Sequence, residues 1–137
     1  MSGPYTQLFV HCVWATWDRL PLITPAFEAQ IYASIGDKCA KLGCETLAIG
    51  GIEDHVHLLV ELPATLAVAQ LLKETKGASS HLMTHVLRPD VFFRWQGSYG
   101  VFTVSKDRVP TVQQYIKRQK IHHADNSLIV DWETWVD

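Results

Sequence analysis

The sequence has little cysteine, and no arrangement of it that predicts a cross-link or a zinc site. Its three cysteines are Cys12, Cys39 and Cys44, an odd number without a CxxC pair. A disulfide framework needs paired cysteines and a zinc ribbon needs CxxC pairs, so neither is indicated. We therefore expect three buried free thiols.

Charged residues are absent from the first 17 positions, but this stretch predicts neither a signal peptide nor a membrane helix. A secretory signal has a basic n-region before its apolar segment, and none is present. Residues such as Ser2, Pro4 and His11 interrupt the apolar run, which falls short of the roughly 20 residues that a membrane-spanning helix needs. We therefore expect a cytoplasmic protein with no membrane partner.

The chain also lacks internal repeats, low-complexity tracts and linkers that would divide it. Its 137 residues are 47% hydrophobic and 19% charged, which is the composition of a folded globular protein and not of a disordered chain. A chain of this length buries roughly two-thirds of the surface that it exposes when unfolded. We expect one domain, over residues 1–137.

The net charge is only −2, but the charges are unevenly distributed. Residues 1–65 hold three Lys/Arg against seven Asp/Glu, residues 66–123 hold nine against three, and residues 124–137 hold none against four. Clustered positive charge binds polyanions, and a small total can conceal it. The middle segment is therefore where a nucleic acid would bind.

Hydrophobic periodicity predicts four strands and three helices. Alternation with period two indicates strands, and apolar residues three or four apart indicate helices. In the first helix, Phe27, Ile31, Ile35 and Cys39 recur every fourth residue and are followed by Gly43 as a stop signal. The predicted strands are 5–17, 46–49, 55–62 and 99–105, and the predicted helices are 25–42, 66–86 and 111–123.

This order of elements predicts an α+β fold. A β-α-β-β-α-β chain is typical of the ferredoxin-like unit, an antiparallel sheet with two helices on one face. The third helix is additional, lies near the C-terminus and carries Tyr115. Residues 50–54 predict a hairpin turn and residues 88–98 a loop. The last segment, with Trp132 and Trp135, predicts a short strand or an arm that packs on a neighbouring chain.

His55 and His57 lie two residues apart in a predicted strand, so their side chains share one face with their bases about 6–7 Å apart. Val56, Leu58 and Val60 take the opposite face and would anchor the strand in the core. Two buried imidazoles need water, a carboxylate or a metal as a partner, and the pair alone does not say which. Binuclear zinc hydrolases also use His-x-His, usually with a nearby Asp-His pair that this sequence lacks.

Tyr115 and Gln119 lie four residues apart in the last predicted helix, and therefore on one helical face. Lys117, Arg118 and Lys120 of the same helix are free to face solvent or phosphate. By itself, this pattern favours an amphipathic basic helix whose tyrosine packs on the sheet.

Taken together, the two elements resemble the single-tyrosine HUH transposases of bacterial insertion sequences, a family that includes domesticated repeat-associated relatives; HUH denotes His-hydrophobic-His. The resemblance covers nearly the whole chain and is specific, because several separate matches occur in the same order. The matching residues are Asp54-His55-Val56-His57-Leu58-Leu59, Leu72-Lys73, Lys76-Gly77, Trp95-Gln96, residues 99–105, Tyr115-Ile116, Gln119 and His122-His123.

The resemblance implies a transposase that cleaves and rejoins single-stranded DNA near subterminal hairpins. Tyr115 would be the nucleophile, leaving a 5′-phosphotyrosine and a free 3′-OH. This linkage conserves the bond energy for rejoining, so no nucleotide cofactor is expected. The resemblance further implies a homodimer, in which the tyrosine helix of one subunit can complete the histidine pair of the other.

The resemblance also implies Mg²⁺ or Mn²⁺ bound by His55, His57 and Gln119. A divalent ion stabilises charge on the phosphate and on the leaving 3′ oxygen. Since these three ligands are neutral, the ion would keep its full charge, which a carboxylate ligand would reduce. The ion and nearby cations would activate Tyr115, whose ordinary pKa is about 10. The residues expected to bind DNA are Lys73, Lys76, Arg94, Lys106, Lys117, Arg118 and Lys120.

Two other functions fit parts of the pattern. A non-cutting or domesticated DNA-hairpin-binding protein would use the basic residues to bind DNA without cleaving it. Formation of a covalent protein–DNA complex would distinguish a transposase from such a protein. A small-molecule metal hydrolase would use the histidines, and tightly bound zinc with turnover of a simple ester would support it.

Overall fold

The computed structural model describes residues 3–133, in which a four-stranded antiparallel sheet carries helices on both faces. The strands are β1 (Phe9–Ala15), β2 (Glu45–Ile52), β3 (His55–Glu61) and β4 (Gly100–Val104). The helices are α1 (Glu28–Lys41), α2 (Val68–Leu82), α3 (Val109–Lys117), α4 (Gln119–Asp125) and α5 (Val130–Glu133). A π-helical turn, Met83–Leu87, extends α2, and two short 3-10 turns cover Trp17–Arg19 and Lys106–Arg108.

The strand order is β2-β3-β1-β4, and all pairs are antiparallel. The β2–β3 hairpin lies on one side of β1, and β4, which follows α2, lies on the other. This is the ferredoxin-like arrangement, so the predicted fold is confirmed.

β1 is shorter than the predicted strand 5–17, because its partners and its backbone limit it. The ladder with β3 runs only from Phe9, opposite Glu61, to Ala15, opposite His55. Beyond it, Asp18 and Arg19 have φ values of 54° and 53°, in the left-handed region that strands do not use. The alternating pattern alone could not show where pairing stops.

β2 is longer than the predicted strand 46–49. Gly50 and Gly51 belong to the predicted turn 50–54, but they are paired in the ladder opposite His57 and Val56. The turn itself is only Glu53 and the residue after it. A Cβ on Gly51 would lie 2.1 Å from the carbonyl oxygen of His55, so the lack of a side chain here serves close backbone packing and not a turn.

The predicted continuous helix 111–123 is two helices. Arg118, with φ −106° and ψ 22°, interrupts the helical geometry between α3 and α4. After this break Gln119 is buried and Lys120 bonds to the carbonyl oxygen of Gly51 in β2. Packing of the second segment against β2 and β3 overrides the local helical periodicity.

The C-terminal segment is helical where a strand or an arm was predicted. α5 brings the indole of Trp132 against the rings of His11 and Tyr115 of the same chain, at centroid distances of 4.7 and 5.0 Å. Trp135 lies outside the described residues. Trp132 therefore packs, partly buried, against its own chain.

Two hydrophobic clusters cover the two faces of the sheet. The first packs α1 and α2 on alternate residues of the central strands, and its members include Cys12, Trp14, Ile31, Ile35, Val56, Leu58, Val60, Leu71 and Leu72. The second packs α3 on the opposite face and contains Phe9, Ala48, Leu59, Val104, Val112 and Ile116. With both faces covered, β1 is buried throughout.

All three cysteines are buried free thiols, as predicted. Within residues 3–133, each helix is too short or too polar to cross a membrane.

Candidate active site

β3 holds the histidine pair on the sheet face opposite α1 and α2. Val56 and Leu58 point into the α1–α2 layer, so the alternation of the strand turns His55 and His57 the other way. Their rings lie 5.0 Å apart and are 1% and 0% exposed. The predicted pairing of these two side chains on one face is therefore present.

Each histidine has an outer partner at Nδ1. The Nδ1 atom of His55 lies 2.8 Å from Oδ1 of Asp54, and that of His57 lies 2.8 Å from Nε2 of His11. Such contacts orient an imidazole and determine which nitrogen carries the proton. Both Nε2 atoms are thereby directed to one common point.

Glu133 of α5 occupies that point. Its carboxylate oxygens lie 3.0 Å from Nε2 of His55 and 3.1 Å from Nε2 of His57. Sequence reasoning missed this residue, because it lies in the acidic C-terminal segment and no local pattern relates it to the histidines. It adds a carboxylate to a site for which only neutral ligands were predicted.

The charges of this cluster shift the pKa values of its members. Burial is the largest effect on Glu133 and opposes its ionisation, but the imidazoles of His55 and His57 close to its carboxylate more than offset it and hold the pKa well below the usual range. For His55, burial is likewise outweighed, by the hydrogen bond to Asp54 and the nearby carboxylate of Glu133, and its pKa is raised. Burial dominates at His57 and lowers its pKa to about 4. The cluster therefore pairs an anionic Glu133 with a His55 that protonates readily and a neutral His57.

Tyr115 of α3 is 5% exposed and lies beside the pair, with its ring 5.8 Å from that of His57. Its hydroxyl donates a hydrogen bond to Oε2 of Glu133 and accepts one from the N–H of Ile129 at 3.1 Å. Burial, together with the anionic acceptor, raises the pKa of Tyr115 to about 12. In this arrangement the phenol is held neutral and oriented.

Gln119, at the start of α4, completes the cluster. Its Oε1 lies 3.2 Å from Nε2 of His55 and 3.1 Å from Nε2 of His123, and its Nε2 donates to Glu133 at 3.3 Å. The break at Arg118 leaves the amide next to the histidine pair. The structure thus brings together the four residues predicted for chemistry: His55, His57, Tyr115 and Gln119.

The donor set fits a small divalent cation. One ligand atom each of His55, His57 and Glu133 lie within 4.8 Å of one another. Ligands at about 2.1 Å from a common ion lie on the order of 3–4 Å apart. Within the described chain, the buried Nε2 of His57 and Oε1 of Glu133 also lack a well-aligned hydrogen bond, as expected of atoms whose partner is an ion.

The residues predicted to bind DNA do not all have free side chains. Lys76 donates to the carbonyl oxygen of Gln96 at 2.6 Å, and Lys120 pairs with Glu28 at 2.7 Å. Arg94 stacks over the Trp17 ring at 4.3 Å and remains exposed. Four further predicted residues are exposed, namely Lys73, Lys106, Lys117 and Arg118.

Comparison with known proteins places this geometry in context. The family model described as IS200-like transposase matches residues 4–119. The chain is 29% identical over 123 residues to the ISDra2 transposase TnpA of Deinococcus radiodurans, covering 85% of this chain and 87% of the relative. It is 32% identical over 105 residues to the transposase for insertion sequence element IS200 of Salmonella typhimurium, covering 69% and 67%.

Two solved structures share the fold. A candidate transposase from Deinococcus radiodurans R1 superposes with a TM-score of 0.69 at 28% identity, over 87% of this chain and 95% of that one. A REP-associated tyrosine transposase bound to a REP hairpin gives a TM-score of 0.65, over 97% and 81% of the two chains. At 16% identity, the second match supports the fold alone.

Proposed function

The chain belongs to the family of IS200-like transposases, and from this premise we propose that it cleaves and rejoins single-stranded DNA through a covalent bond to Tyr115. The observation that carries the proposal is the convergence of the Tyr115 hydroxyl and the Nε2 atoms of His55 and His57 on the carboxylate of Glu133. A nucleophile and a metal-binding pair that meet at one buried anionic group mark the place that a phosphate would take.

In the proposed reaction, the Tyr115 oxygen attacks the phosphorus of a DNA phosphodiester and loses its proton. The bond between the phosphorus and the 3′ oxygen breaks, and that oxygen takes up a proton to leave as a 3′-OH. The DNA 5′ end is then a phosphotyrosine. Attack by a 3′-OH on this linkage reverses the steps and rejoins the strand without a nucleotide cofactor.

We propose that His55, His57 and Gln119 hold a divalent ion, with Mg²⁺ or Mn²⁺ expected. When bound, the ion supplies positive charge to the phosphate oxygens and the leaving oxygen. In the absence of DNA, Glu133 serves as a further ligand. Because its carboxylate also accepts the Tyr115 hydrogen bond, Glu133 has to leave this position before a DNA phosphate can reach the tyrosine.

One chain supplies the whole proposed site, since His57, Tyr115 and Glu133 of the same chain are in contact. We propose on this basis that the reaction takes place within one subunit. A homodimer stays a prediction from the family resemblance.

The proposed DNA partner is a single strand with a hairpin. The REP-associated transposase that shares this fold is bound to a hairpin, and the positive charges of this chain lie mostly in its middle segment. The exposed Lys73, Arg94, Lys106, Lys117 and Arg118 are the proposed phosphate contacts. Lys76 and Lys120 would first have to give up bonds within the chain.

The test is covalent capture of DNA. Single-stranded oligonucleotides with hairpins from the DNA flanking the gene are labelled at the 3′ end, because Tyr115 would retain that fragment. We expect a labelled adduct on a denaturing gel with wild-type protein and Mn²⁺, none with Tyr115→Phe, and an unchanged amount with the control Tyr5→Phe, whose side chain is 80% exposed.

An adduct of equal yield with Tyr115→Phe would show that another residue is the nucleophile. Salt-dependent hairpin binding that persists in Tyr115→Phe and His57→Ala, with no adduct from wild type under any divalent metal, would instead identify a non-cutting hairpin-binding protein.

A further inference from the structure

His11 contacts the histidine pair from the neighbouring strand. It lies in the inner strand β1, is 0% exposed, and pairs in register with Leu59 of β3 and Phe102 of β4. Its Nε2 lies 2.8 Å from Nδ1 of His57, and the two rings are nearly parallel, 5.1 Å apart at an angle of 28°. A third buried histidine thus adjoins the proposed metal site without facing the ion position itself.

The outer partners of the two ligand histidines differ in chemistry. Asp54 bonds Nδ1 of His55, and a carboxylate can only accept a hydrogen bond. His11 bonds Nδ1 of His57, and a neutral imidazole can either accept or donate through a given nitrogen. Nδ1 of His55 therefore always carries a proton, whereas the proton of His57 can lie on either ring nitrogen.

One tautomer of His57 suits the site without an ion, and the other suits the site with an ion bound. Without an ion, Nε2 of His57 lies 3.1 Å from Glu133 and is best satisfied as an N–H donor, so Nδ1 accepts from Nε2–H of His11. With an ion bound, the Nε2 lone pair of His57 must be free, so the ring proton lies on Nδ1. Nδ1–H of His57 then donates a hydrogen bond to Nε2 of His11. The two arrangements carry the same number of protons, and the change is an internal rearrangement.

We propose that His11 is a positioning residue for His57, which keeps one hydrogen bond to its ring in both states and directs the Nε2 lone pair toward a bound ion. The inference rests on the proposed function, because it concerns the same site. The His11 ring is held between Trp132 and Phe102, at centroid distances of 4.7 and 5.9 Å. Within residues 3–133 its Nδ1 has no hydrogen-bond partner, so the bond to His57 is the polar contact that accounts for a histidine here.

The proposal is tested by the Mn²⁺ affinity of the full chain. This affinity is measured from the electron paramagnetic resonance signal of free Mn²⁺. Loss of an outer partner typically weakens metal binding about 10- to 100-fold, and we expect this loss for His11→Leu. His11→Gln, which can both donate and accept, should retain affinity to within a few-fold of wild type. The exposed His85→Leu serves as a matched control and should bind as wild type does.

A second measurement does not depend on how the variants fold. Long-range proton–nitrogen NMR of the wild-type imidazoles distinguishes the tautomers, and diamagnetic Mg²⁺ serves as the probe. We expect saturation with Mg²⁺ to move the ring proton of His57 from Nε2 to Nδ1. The ring proton of His11 should also move from Nε2 to Nδ1, while Nδ1 of His55 stays protonated.

Two results would overturn the inference and leave the proposed metal site standing. One is Mn²⁺ binding by folded His11→Leu within about twofold of wild type, and the other is a His57 proton that stays on Nε2 at saturating Mg²⁺. Failure of the wild-type protein to bind Mn²⁺ would instead overturn the proposed metal site together with the inference.

Discussion

Gly50 offers a direct test of how the sheet positions the tyrosine helix. It lies in β2 opposite His57, and α3 crosses it so closely that a Cβ would lie 2.4 Å from the carbonyl oxygen of Ile116. Because the obstructing atom belongs to the backbone, no side-chain rotation can relieve the overlap. Gly50→Ala must therefore displace α3 or the strand.

The size of the effect follows from this overlap. An ordinary carbon–oxygen contact is about 3.3 Å, so α3 has to move by nearly 1 Å; forced insertion of a methyl group into a packed site costs about 1–3 kcal/mol. Alanine recovers about 0.5–1 kcal/mol of backbone entropy relative to glycine. We expect Gly50→Ala to lower the free energy of unfolding by about 1–2 kcal/mol.

The displacement also reaches the proposed nucleophile, because Tyr115 precedes Ile116. A misplacement of 1 Å can cost about 100-fold in rate, so the adduct should form about 100-fold more slowly even when the variant is folded. Urea unfolding followed by tryptophan fluorescence measures the stability, and the covalent capture assay measures the rate.

Gly36→Ala in α1 is the matched control, since a Cβ there meets no atom within 4 Å. It should stabilise the protein by about 0.5–1 kcal/mol and leave the rate unchanged. If Gly50→Ala is as stable and as fast as wild type, β2 and α3 do not approach each other as described and the reasoning fails.

Two further predictions concern ionisation. Glu133→Gln removes the anionic acceptor of the Tyr115 hydroxyl. The pKa of Tyr115 should therefore fall from about 12 to about 11, which is a tenfold gain in phenolate. Ultraviolet titration, with Tyr115→Phe as the reference, measures this pKa, and an unchanged value would contradict this account. Burial raises the pKa of all three thiols, that of Cys39 to about 11. A thiol-specific disulfide reagent should therefore label the folded protein slowly at neutral pH and all three cysteines at once in denaturant, whereas rapid labelling of folded protein would refute the burial.

The grouping of the residues proposed for catalysis could be predicted from sequence where the relation among them is local. A strand repeats every two residues, so His55-Val56-His57 shares one face whatever the rest of the chain does. Tyr115 and Gln119 are four positions apart, a spacing that brings two side chains near each other in a helix, and both stay at the site although Arg118 interrupts that helix. The order of elements likewise predicts the fold, because connection rules leave few arrangements for it.

Glu133, His11 and the role of Gly50 required the tertiary structure. His11 and His57 are 46 residues apart in sequence and adjoin only because β1 and β3 pair in one register. Glu133 reaches the same point because packing of Trp132 on the sheet places α5 there. Local periodicity describes a side chain's direction within its own element. Contacts between distant elements depend on register, helix breaks and close packing, which are determined by the whole fold.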